Sequence, residues 1–267
     1  MSSFYGSELL FDGVSSLEFD LRISNFESGG TSEGSAGSES DLVQKYIYRR
    51  TSPYYYGRLL HKPLEFNITM SNFDSKFNAI DRDLVERWLL GRSGYKKLMI
   101  VQEDMTSISF NAFVDKASIK YVGNIAVGIT ANIKCKEPWG FSPQQTLTKS
   151  YGGSANETIS FYNDSSNDDY LYPYITFTTA GAITGNVSIK NISENNRAMI
   201  FSSLLSPNII YTVDCDKQIV TSQDGSLILG GFNKTFFRLI PKMNNINISG
   251  PITLFNMTYQ FARKIGG

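Results

Sequence analysis

The densest set of potential metal ligands is the run Asn163–Asp169, NDSSNDD. Hard cations such as calcium take several converging oxygens. This run lacks the turn glycine at its sixth position and a closing glutamate, so it reads as a solvated turn. Asp214 and Asp216 in TVDCDK have the residue type of a glycosidase acid pair. Two residues apart on one strand, they face the same side and cannot flank a sugar. His61 is the only histidine and stands beside Lys62 and Pro63 without a nucleophile motif. No GxSxG, GxGxxG or P-loop occurs in a workable form, and the glycine-rich segment lacks the strand–glycine–helix context of a phosphate site. Cys135 and Cys215 have no CxxC partner, which speaks against a zinc site or a disulfide scaffold and for folding in a reducing compartment. The expectation is no enzyme, no cofactor and no metal. The remaining polar-aromatic group is Tyr162, Tyr170, Tyr172 and Tyr174, around the acidic turn. Rings beside carboxylates and amides suit a sugar- or partner-binding surface; the bland alternative is the core or rim of a sheet domain.

Composition narrows the partners. Lys plus Arg equals Asp plus Glu at 25 each, so the chain lacks the clustered cations that non-specific nucleic-acid binding uses. No stretch approaches the length of a membrane helix, and MSSFYGSELLFDG does not have the pattern of a signal peptide. Asn-x-Ser/Thr recurs, as at Asn67, Asn156, Asn186, Asn191, Asn233, Asn247 and Asn256, and is then chance in a chain rich in these residues. With 267 residues there is room for one large domain or two. The 18 Phe and 15 Tyr suit strands and interfaces.

The elements that would position these residues are nearly all strands. LEFDLRI (Leu17–Ile23) alternates and predicts a half-buried strand; so does LEFNITM, with Leu64, Phe66, Ile68 and Met70 on one face. Between them, Glu27–Ser40 is Gly/Ser-rich and offers no apolar surface, so it reads as a mobile arm whose candidate residues are Glu27, Gly30, Gly34 and Ser40. One helix is predicted from Asn78 to Leu90, with Asn78 as N-cap and a left-handed Gly91 as stop. Its packing stripe at the helical period is Phe77, Ile80, Leu84 and Trp88, within about 80° of arc. Leu98–Val101, ISFNAFV and Ala117–Lys134 continue as strands, giving an antiparallel sheet with a helix laid across it. EPWGFSP breaks the pattern at Glu137–Pro143. Beyond it, short apolar bursts between Gly, Asn, Asp and Pro clusters predict a β-sandwich. ITLFNMTYQFAR supplies a strong closing strand.

Several stretches, in this order, resemble the distal tail protein (Dit) family of long-tailed, siphovirus-type bacteriophages. They are Pro63–Asp104, with its strand, its helix ending in Trp–Leu and a Leu-led strand; Cys135–Trp139, of the form Cys–Lys–x–Pro–Trp; YTVDCDKQIV; and Phe236–Gly250. The resemblance spans nearly the whole chain. It implies a mainly β protein whose first domain, an antiparallel sheet with one helix, is similar to tail-tube proteins, and whose second is a galectin-like β-sandwich. It places the closing strand back in the first domain, so residues 1–141 plus 251–267 form the ring domain and 142–250 the sandwich. It further implies a homo-hexameric hub ring between tail tube and baseplate or host-adsorption device, with Glu27–Ser40 as the arm that clasps a neighbouring subunit. The implied partners are the tail-tube protein, a tail-tip or hub protein, a receptor-binding protein and a host glycan. The location is the virion tail tip, after assembly in the bacterial cytoplasm. Two other readings stand beside it: a tail-tube or other baseplate component, and a carbohydrate-binding lectin-like module.

Overall fold

The structure is a computed structural model that describes residues 6–24, 41–59, 62–72, 77–103, 107–202, 205–228 and 230–264. The Glu27–Ser40 arm and His61 lie outside the described residues. The chain divides into two units, Met1–Ser142 with Arg263–Gly267, and Pro143–Ala262.

In the first unit, β1 (Glu8–Phe11) buries Leu9 and Phe11 and turns into β2 (Val14–Ser15). The alternation of Leu17–Ile23 predicts a strand, but Ser16–Phe19 is one turn of 3-10 helix, followed by the short β3 (Arg22–Ile23). A capping box overrides the alternation. Ser15 Oγ accepts from the Leu17 amide at 3.0 Å, and the Glu18 carboxylate accepts from the Ser15 amide at 3.2 Å. Asp20 then takes the left-handed conformation, and Leu17 is left exposed.

Next come β4 (Asp41–Lys45) and β5 (Tyr54–Leu59), which pair only with each other. β6 (Glu65–Ser71) buries Phe66, Ile68 and Met70 on one face, as its alternation requires. The helix α1 (Ala79–Leu90) starts at a capped Asn78, whose Oδ1 accepts from the amides of Ile80 and Asp81 at 2.8 and 3.1 Å. β7 (Lys96–Val101), β8 (Ser109–Val122), β9 (Ile125–Cys135) and β10 (Gly140–Phe141) follow, and a two-residue strand near the chain end, Ala262–Arg263, pairs β10. The main sheet is antiparallel in the order β2-β1-β7-β8-β9-β6-β3, with β10 also pairing β8. At Gly128 the β6 backbone comes so close that a Cβ would run into the Met70 carbonyl oxygen and Ser71 Cα.

The helix turns a different face to this sheet than its sequence spacing predicts. Phe77 and Trp88 are buried, but Val85 and Leu89 are the residues buried with them; Ile80 is 73% exposed and Leu84 47%. Trp88 fixes the rotation. Its Nε1 donates to the Phe11 carbonyl at 3.0 Å, and its ring stacks on Phe19 at 5.0 Å. Val85, Trp88 and Leu89 share a face at steps of three and four, which carries Ile80 and Leu84 to the flank. Gly91 ends the helix at φ −76°, outside the left-handed region expected of it; a Cβ there would instead meet the Arg87 carbonyl.

The second unit contains β11 (Gln145–Ser150), β12 (Ala155–Asn163), β13 (Tyr174–Thr179), β14 (Val187–Asn191), β15 (Arg197–Phe201), β16 (Ile210–Asp214), β17 (Ile219–Ser222), β18 (Lys242–Gly250) and β19 (Ile252–Tyr259). They form two antiparallel sheets, β11-β19-β13-β16-β17 and β12-β18-β14-β15. Inward residues of both, including Ile175, Phe177, Val213, Ile189, Phe201, Ile246 and Phe255, make one core. The closing strand departs from the expected division at 250/251. β19 does not return to the first unit; it pairs β11 on one side and β13 on the other, in the middle of a sandwich sheet. Its alternating Ile252, Phe255 and Met257 are consumed by that core. Only Arg263 onward is assigned to the first unit.

Candidate functional site

Asp214, the two cysteines and Asn163 are held in structural roles. Asp214 accepts from the Lys217 amide at 2.9 Å and its ammonium at 3.0 Å. Burial by itself raises this carboxyl, but the Lys217 hydrogen bonds outweigh it and hold it below its ordinary range. Cys135 and Cys215 are buried, free and in different units, and burial pushes both thiols up to about 12. Asn163 is buried; it accepts from the Ser165 amide at 3.2 Å and donates to the Ile240 carbonyl at 3.1 Å, so the NDSSNDD turn is held by its own backbone. Among the described residues no three His, Cys, Asp or Glu side chains gather as a metal site would need. No described helix is long and apolar enough to cross a membrane.

Exposed apolar groups are the more informative feature. On the β4–β5 hairpin Leu42, Tyr46, Ile47, Tyr48, Tyr54, Tyr55 and Tyr56 all face solvent, Tyr48 being 88% exposed. Arg50 lies over the Tyr54 ring at 4.0 Å and Arg49 over Tyr48 at 5.3 Å. Tyr121, Val122 and Ile125 stand exposed at the β8–β9 turn, where Arg82 of α1 donates to the Tyr121 hydroxyl at 3.2 Å. Ile80 and Leu84, expected in the core, join this exposed set. The trace of this surface in the sequence is the tyrosine-dense PYYYGRLL run, in which no period tells exposed rings from buried ones.

The four tyrosines of the second unit are not one surface. Tyr162 alternates with the inward Phe161 on β12, so it lies on the outer face of the four-stranded sheet, opposite the exposed Met243. Tyr174 alternates with Ile175 on β13 and lies on the outer face of the other sheet. The two sheets bury their inner faces in a common core, so these outer faces look in opposite directions. Tyr170 and Tyr172 pack edge to face, 6.5 Å apart, on the Tyr174 side of the chain's alternation.

The chain matches known proteins over most of its length. The profile of a phage tail protein N-terminal domain matches residues 4–137, and that of a phage tail C-terminal domain matches residues 139–259. The chain belongs to this family of phage tail proteins. No protein of curated function matches its sequence. Among solved structures, the tail protein resembles the Dit protein (gp 19.1) of phage SPP1 at 14% identity, over 95% of this chain and 98% of that one, with a TM-score of 0.69. It also resembles a chain of the phage P2 baseplate in its activated, calcium-bound conformation at 8% identity, over 92% of each chain, with a TM-score of 0.52. At such identities the likeness is one of fold. The fold is mainly β and is that of a distal tail protein.

Proposed function

We propose that this tail protein is a non-enzymatic hub: six copies close into a ring at the virion tail tip, joining the tail tube to the baseplate or host-adsorption device. The observation that carries this reading is the β4–β5 hairpin. A two-stranded hairpin is marginal by itself in water, and this one pairs with no other described strand while exposing seven large apolar residues. Tyrosine and arginine are the side chains enriched at protein interfaces. A clasp that lays this hairpin on a neighbouring copy would cover the tyrosines and make a heterologous, ring-closing contact. The Glu27–Ser40 segment, which immediately precedes β4 in the sequence, is proposed as part of the same clasp.

The fold supports the same reading, since the SPP1 Dit protein it matches is described as a paradigm of the hub adsorption apparatus in phages that infect Gram-positive bacteria. The partners are then a tail-tube protein, a tail-tip or hub protein and a receptor-binding protein, met during assembly in the host cytoplasm. The sandwich unit would be the galectin-like domain. Light scattering on the full chain tests the ring: the expected mass is six times that of the 29.8 kDa subunit, or a double ring. Replacing Tyr46, Tyr48 and Tyr55 with Ser is expected to release folded monomers, with the circular dichroism spectrum unchanged. A wild-type protein that stays monomeric at high concentration overturns the proposal.

A further inference from the structure

The tyrosines on the outer face of the five-stranded sheet form a built strip. From Tyr170 to Thr178 the chain alternates without a break: Leu171, Pro173, Ile175 and Phe177 are buried, and Tyr170, Tyr172, Tyr174 and Thr176 face outward. Alternate residues of an extended chain are about 6.7 Å apart, so the three rings stand in a row. The row is held rigid from below. Leu171 and Leu239 exchange backbone hydrogen bonds of 3.0 and 2.9 Å, which brings Arg238 under the rings. Its guanidinium lies 3.8 Å from the Tyr170 ring centroid and is anchored by Glu194, with Nε 2.6 Å and Nη2 2.5 Å from Oε1. The Glu194 side chain is only 10% exposed.

The surface beside the rings is polar, and its carboxylate Asp214 is paired with Lys217. Tyr174 sits in register with Thr258 on β19 and Asp214 on β16. The next row is Thr148, Asn256, Thr176 and Thr212, in which Thr148 Oγ1 donates to Asn256 Oδ1 at 2.8 Å and Asn256 Nδ2 to Thr176 Oγ1 at 3.3 Å. Arg238 is paired with Glu194 and Lys217 with Asp214. Fixed aromatic faces beside hydroxyl and amide groups are complementary to a polymer that is itself uncharged, ring-shaped in its units and covered in hydroxyls. A charged polymer would leave its own charges unanswered, and a protein partner is expected to seek a more continuous apolar centre.

We propose that the strip Tyr170–Tyr172–Tyr174, with the Thr/Asn row beside it, binds a neutral polysaccharide lying along β13. Sugar C–H faces stack on Tyr172 and Tyr174, hydroxyls bond to the Thr/Asn row and Asp214, and Arg238 is the positioning residue that fixes Tyr170. The site does not depend on the hexameric ring. The test uses the full chain on immobilised neutral oligosaccharides built of glucose, galactose or rhamnose, with polyglycerol phosphate as the charged control. Binding to at least one neutral glycan is expected, weakened roughly tenfold, the equivalent of about 1.4 kcal/mol, by Tyr172→Ala or Tyr174→Ala. Tyr162→Ala, on the opposite outer face, is expected to leave it unchanged. Light scattering on the same samples keeps particle mass, and so avidity, constant across the comparison. The proposal is overturned if the wild type binds no neutral glycan, if it binds only polyglycerol phosphate, or if Tyr162→Ala weakens binding as much as Tyr174→Ala.

Discussion

Because the Trp88 indole both donates to the Phe11 carbonyl and stacks on Phe19, truncating it leaves a cavity and removes a buried hydrogen bond together. Trp88→Ala is therefore expected to cost about 3–5 kcal/mol in urea unfolding. Leu84→Ser, one turn earlier, is expected to stay within about 0.5 kcal/mol because its side chain already stands in water. Equal losses at both positions would mean that the helix packs on the stripe its spacing suggests. The buried thiols make a second residue-scale prediction. Burial raises Cys135 and Cys215 from 9.0 to about 12, so the folded chain keeps two protons that the unfolded chain releases. Folded stability is fully present below pH 9 and falls as pH rises from there towards 12. Replacing both cysteines with Ala is expected to flatten that alkaline decline, as read by chemical denaturation at pH 8 and pH 10. A slope the double variant leaves untouched would place the alkaline lability elsewhere.

At the scale of elements, the sequence is a good guide wherever one local rule acts alone. β6 and the inner half of β9 bury the residues their alternation assigns, and α1 begins at the cap residue that its sequence marks. It misleads where two rules compete. The Ser15–Glu18 capping box defeats a clean alternation at Leu17–Ile23. The helix stripe is overruled by one tryptophan hydrogen bond to a residue 77 positions away, which no local pattern can carry. The β4–β5 hairpin is a harder case still, since its tyrosines are read as apolar content, not as an unpartnered surface. Its two strands share few supports, so in a monomer its amides are expected to exchange with solvent almost unprotected. If the hairpin clasps a neighbour, hydrogen exchange on the assembled particle is expected to slow across Asp41–Leu59 and in monomers of the Tyr46/Tyr48/Tyr55 variant to remain fast. Equal exchange in both would remove the hairpin from the interface while leaving the oligomer itself to be explained by another surface, such as Ile80 and Leu84.

For the whole molecule, the two cores decide where the chain can be cut. The strands of the sandwich find their partners among Pro143–Ala262, and its core residues all fall within those limits. The two tail-domain families change over a few residues earlier, between residues 137 and 139, and the second ends at 259, beyond the 250/251 boundary that the resemblance implies. The difference is β19. A fragment of residues 143–262 keeps it between β11 and β13, whereas a fragment of residues 142–250 lacks it and leaves both neighbours unpaired. Losing it also removes the fully buried Ile252, Phe255 and Met257, worth about 1.5–3 kcal/mol each, against a typical domain stability of about 5–15 kcal/mol. The longer fragment is expected to melt in one cooperative transition and the shorter one to show none. A cooperative melt from residues 142–250 would show that the sandwich folds without β19 and would restore the 250/251 boundary that the family resemblance implies.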